Sequence, residues 1–137
     1  MKEFEYEIVT PEKRTVSGKA VSMTFAGVEG SFQTLYNHAP MISALEVGVI
    51  KVETSEGSKD VYAEGGGVVE VLNNKVLALV STLELGDEID SERAKRAAER
   101  AKAKLKDLKR DEAEYDQAEH ALKRALNRLR ASEFSKY

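Results

Sequence analysis

The 137-residue chain contains no cysteine. That excludes a disulfide scaffold, a thiolate zinc site and a cysteine nucleophile. Its two histidines, His38 and His120, lie far apart in the sequence, and no metal site is expected from them. No apolar run approaches the roughly 18 residues that a membrane-spanning helix requires. The first residues, Met1-Lys2-Glu3-Phe4-Glu5-Tyr6-Glu7, alternate charge and aromatic and do not read as a signal peptide, so a cytoplasmic start is expected. A formal net charge of −3 argues against a generic polyanion binder. No nucleophile–base–acid set is visible, so the chain is not expected to catalyse.

Two further scarcities are local. All 9 glycines and both prolines lie before residue 87. Residues 1–86 carry 7 basic and 12 acidic side chains, whereas residues 87–137 carry 14 and 12. Two physical regimes therefore meet near Gly86, and the expected units are 1–86 and 87–137.

The first unit reads as short strands. Phe4 to Ile8 alternates strictly, as does Val21 to Phe25, the pattern of a half-buried strand. Val47–Val52 and Val61–Ala63 flank a polar stretch, Thr54 to Lys59, which is a hairpin signal. Val68–Leu72 and Val76–Val80 flank Asn73-Asn74-Lys75, a second one, with asparagines that tolerate positive φ. The triplet Gly65-Gly66-Gly67 precedes strand residues rather than a Lys-Ser/Thr helix start. It therefore reads as close backbone packing or a bulge and not as a phosphate loop.

The second unit is helical, with helices expected at about 90–109 and 112–131 joined as an antiparallel hairpin. Ala94, Ala97, Ala98, Ala101, Leu105 and Leu108 mark one narrow apolar stripe. Tyr115, Ala118, Leu122, Ala125, Leu126 and Leu129 mark the other. The first stripe is mostly alanine, which favours helix strongly but buries little area. The hairpin should be stably helical and only shallowly attached to anything else.

Taken in order, Val28-Glu29-Gly30, Asn37-His38-Ala39-Pro40-Met41, Gly65-Gly66-Gly67-Val68-Val69-Glu70-Val71, Ile89-Asp90-Ser91-Glu92-Arg93-Ala94 and Lys123-Arg124-Ala125-Leu126-Asn127-Arg128 resemble the epsilon subunit of bacterial F-type ATP synthases. The resemblance covers essentially the whole chain. It implies an α+β architecture, with an N-terminal ten-stranded β-sandwich followed by an antiparallel two-helix hairpin. It also implies a non-catalytic, proton-translocating-synthase rotor subunit. Its partners would be the gamma subunit, the c-ring and the alpha and beta subunits. Its place would be at the cytoplasmic face of the bacterial membrane, as a peripheral protein. Ser31, His38, Pro40 and Met41 match positions at the gamma and c-ring interface, although Ser31 stands where the family usually has an acidic residue. The family's helices extend to inhibit ATP hydrolysis, and in some members the folded hairpin binds ATP as a regulatory ligand.

Carried onto this sequence, the ATP site would comprise Glu84, Ile89, Asp90, Arg93, Ala94, Arg100, Arg124 and Arg128. Arg124 and Arg128 share a face at i, i+4. In an antiparallel hairpin the end of the second helix lies beside the start of the first. Four guanidiniums would then converge, and their forks suit phosphate oxygens. Asp90 and Glu84 would accept from an adenine amino group or a ribose hydroxyl. The competing reading of these residues is a helix N-cap at Asp90 and solvated, ion-paired helix faces. Arg93 to Arg110 holds 9 basic and 2 acidic side chains. Its family reading is attraction to an acidic segment of the beta subunit. The alternative is a free-standing cytoplasmic adaptor whose basic hairpin binds nucleic acid, but no aromatic interleaves the run to stack on bases.

Overall fold

The computed structural model describes residues 2–136. Eight strands come first: β1 (Phe4–Val9), β2 (Thr15–Ala20), β3 (Ser22–Gly27), β4 (Gly30–Thr34), β5 (Met41–Glu53), β6 (Lys59–Leu72), β7 (Lys75–Val80) and β8 (Leu83–Leu85). A single 3₁₀ turn, Gly86–Glu88, leads to helices α1 (Ser91–Asp107) and α2 (Ala113–Phe134).

The strands run in the order β2-β1-β7-β6-β5-β3-β4, with β8 paired to β6. All neighbours are antiparallel except β1 and β7, which pair parallel from Glu5↔Lys75 to Val9↔Leu79. Phe4, Tyr6 and Ile8 of β1 share one core with Met23 and Phe25 of β3, Ile50 and Val52 of β5, Val69 and Val71 of β6, and Val76, Ala78 and Val80 of β7. One inward face thus closes on itself as a two-layer sandwich. Phe25 and Phe32 stack inside it with ring centroids 5.3 Å apart.

The expected ten strands appear as eight. The reason is that β5 and β6, with 13 and 14 residues, are each continuous through both layers. They bend where their pairing skips from Leu45↔Gly67 to Val47↔Gly65. At that corner Gly66 adopts φ +94°, a conformation that suits glycine, and its N–H donates to the Glu64 carboxylate. The glycine triplet is packing, as its sequence context suggested. A Cβ on Gly67 would stand 2.8 Å from Val80 Cα and collide with the Leu79 carbonyl. Asn73 and Asn74 turn β6 into β7 with φ of 50° and 59°, the left-handed pair that a two-residue hairpin demands.

The hairpin is folded onto the sandwich. α1 packs on α2 through Ala94, Ala98 and Ala101 facing Ala118 and Ala125, all buried. α2 alone makes the main contact with β5, β6 and the 3₁₀ turn. Ala131 is fully buried among Val61, Ala63 and Ile89. On α2 the buried face differs from the expected stripe. Leu126 is 41% exposed, whereas Asn127 and Ser132 are buried. The helix meets a glycine-bearing strand surface, and short side chains with hydrogen-bonding ends fit there better than leucine.

Candidate functional site

The seam between α2 and the sandwich holds the densest polar chemistry. Arg128 lies on α2 and Glu84 on β8. Their contact is bidentate, with Arg128 Nε donating to Glu84 Oε1 at 2.7 Å and Nη2 to Oε2 at 3.0 Å. This fork raises the Arg128 pKa, chiefly through the hydrogen bond that Arg128 donates to the Glu84 carboxylate. Glu84, Arg124 and Arg128 line one small cavity of about 80 Å³ together with Val47, Thr82 and Asn127. One helical turn links Arg124 to Arg128, which is why both reach it.

The start of α1 is built separately. Asp90 is exposed, and its Oδ1 accepts from the Arg93 backbone N–H at 3.1 Å. It is therefore an N-cap, as its position before Ser91 suggested. Asp90→Ala should cost about 1 kcal/mol of helix stability, seen as faster hydrogen exchange in the first turn of α1. An unchanged exchange rate would mean the cap contributes nothing. Ile89 is buried against Ala131 and Val61, and Ala94 is fully buried against α2. Both therefore shape the site by packing.

The structure brings some of the predicted residues together and separates others. Arg124, Arg128 and Glu84 share the seam. Arg93 projects, exposed, from the first turn of α1. Arg100 lies about 10 Å further along that helix, at 1.5 Å per residue. It lines a different hollow, of about 310 Å³, with Ala97, Lys104, Glu114 and Gln117. Among the described residues, no acidic side chain pairs with Arg93, Arg100 or Arg124.

On the sandwich, Ser31 is exposed near the start of β4, His38 and Pro40 occupy the β4–β5 loop, and Met41 is the first residue of β5. The loop is tied down. The Asn37 N–H donates to Asn74 Oδ1 at 2.6 Å, and Asn74 Nδ2 donates to the Glu3 carbonyl at 3.1 Å. His38 Nδ1 lies 2.7 Å from the Ala39 carbonyl, so that nitrogen carries the proton in the neutral tautomer.

Sequence reasoning missed a surface on the outer side of the same sheet. Ala44, Val68 and Leu79 stand side by side across three strands. Ile42 (72% exposed) and Leu72 extend the patch. The signal was present: Val76-Leu77-Ala78-Leu79-Val80 is apolar at every position, so it offers an apolar side chain to both faces.

Two family models divide the chain between them. Residues 3–86 match the ATP synthase delta/epsilon chain beta-sandwich domain, and residues 87–133 match the long alpha-helix domain of the same chain. The chain belongs to the ATP synthase delta/epsilon family. Among curated members, the ATP synthase epsilon chain of Syntrophomonas wolfei is 41% identical over 130 residues, covering 95% of this chain and 94% of that protein. The epsilon chain of Carboxydothermus hydrogenoformans is 46% identical over 100 residues, covering 72% and 73%. Among solved structures, a chain of the Euglena gracilis mitochondrial ATP synthase (OSCP, F1 and c-ring) superimposes with a TM-score of 0.82 at 25% identity, covering 100% of this chain and 83% of that one. A chain of the Tetrahymena thermophila mitochondrial ATP synthase central stalk and c-ring shares the fold, with a TM-score of 0.64 at 18% identity. Among the described residues, no cluster of three or more His, Asp or Glu is placed to hold a metal ion, and no helix is long and apolar enough to cross a membrane.

Proposed function

We propose that this delta/epsilon-family chain is a non-catalytic rotor subunit of a bacterial F-type ATP synthase, coupling the c-ring to the catalytic head from the cytoplasmic face of the membrane. The observation that carries this reading is the match of both parts, sandwich and hairpin, to the two halves of one family, with curated epsilon chains alike over nearly their full length. The apolar outer face around Ile42, Val68 and Leu79 is the natural seat for the gamma subunit, because exposed patches of this kind mark protein contacts. Ser31, His38, Pro40 and Met41 would face the c-ring. Purification of the complex from membranes should recover the chain with alpha, beta and gamma subunits. Its absence from that complex would refute the role.

The hairpin is the regulatory part of the proposal. Docked, it would leave ATP hydrolysis free; extended toward the alpha and beta subunits, it would inhibit, with the basic Arg93–Arg110 run steering it to acidic partners. ATP would bind the docked form through Arg93, Arg100, Arg124 and Arg128, with Asp90 and Glu84 on the nucleoside. The Arg128–Glu84 fork supports a competitive element: a phosphate engaging Arg128 replaces a carboxylate of like charge and geometry. Arg124→Ala should weaken ATP binding about tenfold or more, since a charge-assisted hydrogen bond contributes roughly 1.5–3 kcal/mol. Titration of the full chain followed by NMR checks this. No shift at millimolar ATP in the wild-type chain would remove the nucleotide from the proposal and leave the rotor role standing.

A further inference from the structure

Among the described residues, two side chains of α2 hydrogen-bond to the sandwich, Arg128 and Asn127. The Arg128 fork joins two long, part-exposed side chains. Asn127 is different: it is short, 7% exposed, and meets backbone. Its Nδ2 donates to the Gly48 carbonyl at 2.7 Å and lies 3.4 Å from the Glu64 carbonyl, a longer and weaker contact. Two carbonyls around one atom also fix which end of the amide is the nitrogen. Gly48 and Glu64 face each other across the β5–β6 ladder, so the amide spans a single rung of the sheet.

That rung is bare on the side of α2. Side chains alternate along a strand. Val61 and Ala63 pack with Ala131 of α2, whereas Tyr62 belongs to the sandwich core, and Glu64 turns the same way as Tyr62. Gly48 has no side chain to turn. The flanking rungs, Val47↔Gly65 and Val49↔Ala63, have the opposite parity, and Val49 packs against the Ala131 cluster. One helical turn from Asn127, Ala131 is seated on Val61 and Ala63. The two contacts are satisfied together in one register. A slip by one rung would set the Asn127 amide over a valine side chain, with neither end paired.

We propose that Asn127 is the register key of the hairpin: its amide reads the bare Gly48–Glu64 rung and sets where on the sheet α2 docks. The contact also carries a cost. Asn127 Oδ1 is buried without a partner, and an unpaired buried acceptor is destabilising. An apolar side chain of similar size would avoid that cost. What asparagine supplies is discrimination between registers, as a single buried asparagine does in a coiled coil at the expense of stability. The key acts on docking alone, whether or not nucleotide binds the hairpin.

The test is NMR on the full chain, with the contact between the Ala131 and Val61 methyl groups as the signal of native docking. In the wild-type chain the Asn127 side-chain NH₂ should exchange with solvent about tenfold or more slowly than that of Asn73, which is exposed. Asn127→Asp keeps the shape but sets a carboxylate against two carbonyls, so it should lose the Ala131–Val61 contact at neutral pH. The core methyls of Val69 and Val71 should keep their shifts. Asn127→Leu should leave α2 on the sandwich but spread the Ala131 methyl over several contacts, because register is no longer discriminated. Equal exchange of Asn127 and Asn73 would overturn the proposal, and so would an Asp variant docked like the wild type. A Leu variant that keeps the single native contact, or that loses every contact of α2 with the sandwich, would overturn it equally, since the amide would then be either idle or needed for affinity.

Discussion

Gly67→Ala should destabilise the sandwich by about 3 kcal/mol or more, the upper end of what overpacking costs. Gly67 sits in the middle of β6, paired to Leu45 of β5 on one side and to Val80 of β7 on the other. A methyl group there would strike the Leu79 carbonyl and approach Val80 Cα to 2.8 Å. Both are backbone atoms, held by ladders on either side, so no side chain can rotate away. The strand must separate from β7, and β7 carries Val76, Ala78 and Val80 of the core. Gly57→Ala is the comparison. It lies in the β5–β6 turn at φ +85° with nothing within 4 Å of the added atom, so it meets only the backbone penalty, about 1–2 kcal/mol. Chemical unfolding of the full chain, followed by circular dichroism, measures both. Equal midpoints for the two variants would show that the β6–β7 approach is not rigid.

Much of this architecture was legible because alternation is a local property. The pattern of Phe4, Tyr6 and Ile8 against Glu5 and Glu7 needs no partner to be read, and the structure buries the first set. The compositional break at Gly86 was equally plain. Sheet continuity was not, since nothing local distinguishes one strand that bends at Glu46 and Gly66 from two strands joined there. The parallel β1–β7 pair depends on residues some 70 positions apart. In the hairpin, period 3.6 located the helices but misjudged the docking face of α2, favouring Leu126 over Asn127. Hydrophobic periodicity selects large apolar side chains, whereas this seam is lined by Gly48, Gly65 and Gly86 and rewards short ones. Glu64 could have been found. The alternation that turns Tyr62 inward turns Glu64 inward as well, and an inward glutamate in a strand is a signal in itself. The arginine cluster shows the converse limit. Spacing put four guanidiniums on one hairpin, yet helical rise separates Arg100 from the Arg124–Arg128 seam.

Gly86→Ala should release the hairpin while leaving the sandwich folded. Gly86 is buried at the junction of the two parts, and a Cβ there would meet the Ala131 carbonyl at 2.6 Å, Ser135 Cβ at 3.0 Å and the Val61 carbonyl at 3.0 Å. One of those atoms belongs to α2, one to Ser135 just past its end and one to β6, so the methyl acts as a wedge in the seam. Overpacking of this kind costs about 1–3 kcal/mol, or roughly ten- to a hundredfold in the docking equilibrium. Little opposes the wedge, because the docked face consists of Ala131, Ser132, Asn127 and one half-exposed ion pair. Separating the hairpin removes the Ala131 and Ser135 contacts and leaves only the approach to the Val61 carbonyl, whereas the sandwich would have to break β-ladders to escape them. Hydrogen exchange should show loss of protection in α2 with β1, β6 and β7 unchanged. The functional consequence follows from population. If nucleotide binds only the docked hairpin, apparent ATP affinity falls by the docked fraction that is lost, and the assembled synthase carrying Gly86→Ala should be more strongly inhibited at a given ATP concentration. A released hairpin with undiminished ATP affinity would show that the arginines bind nucleotide without the sandwich. An unreleased hairpin would show that the Gly86–Ala131 approach is not what sets the docking distance.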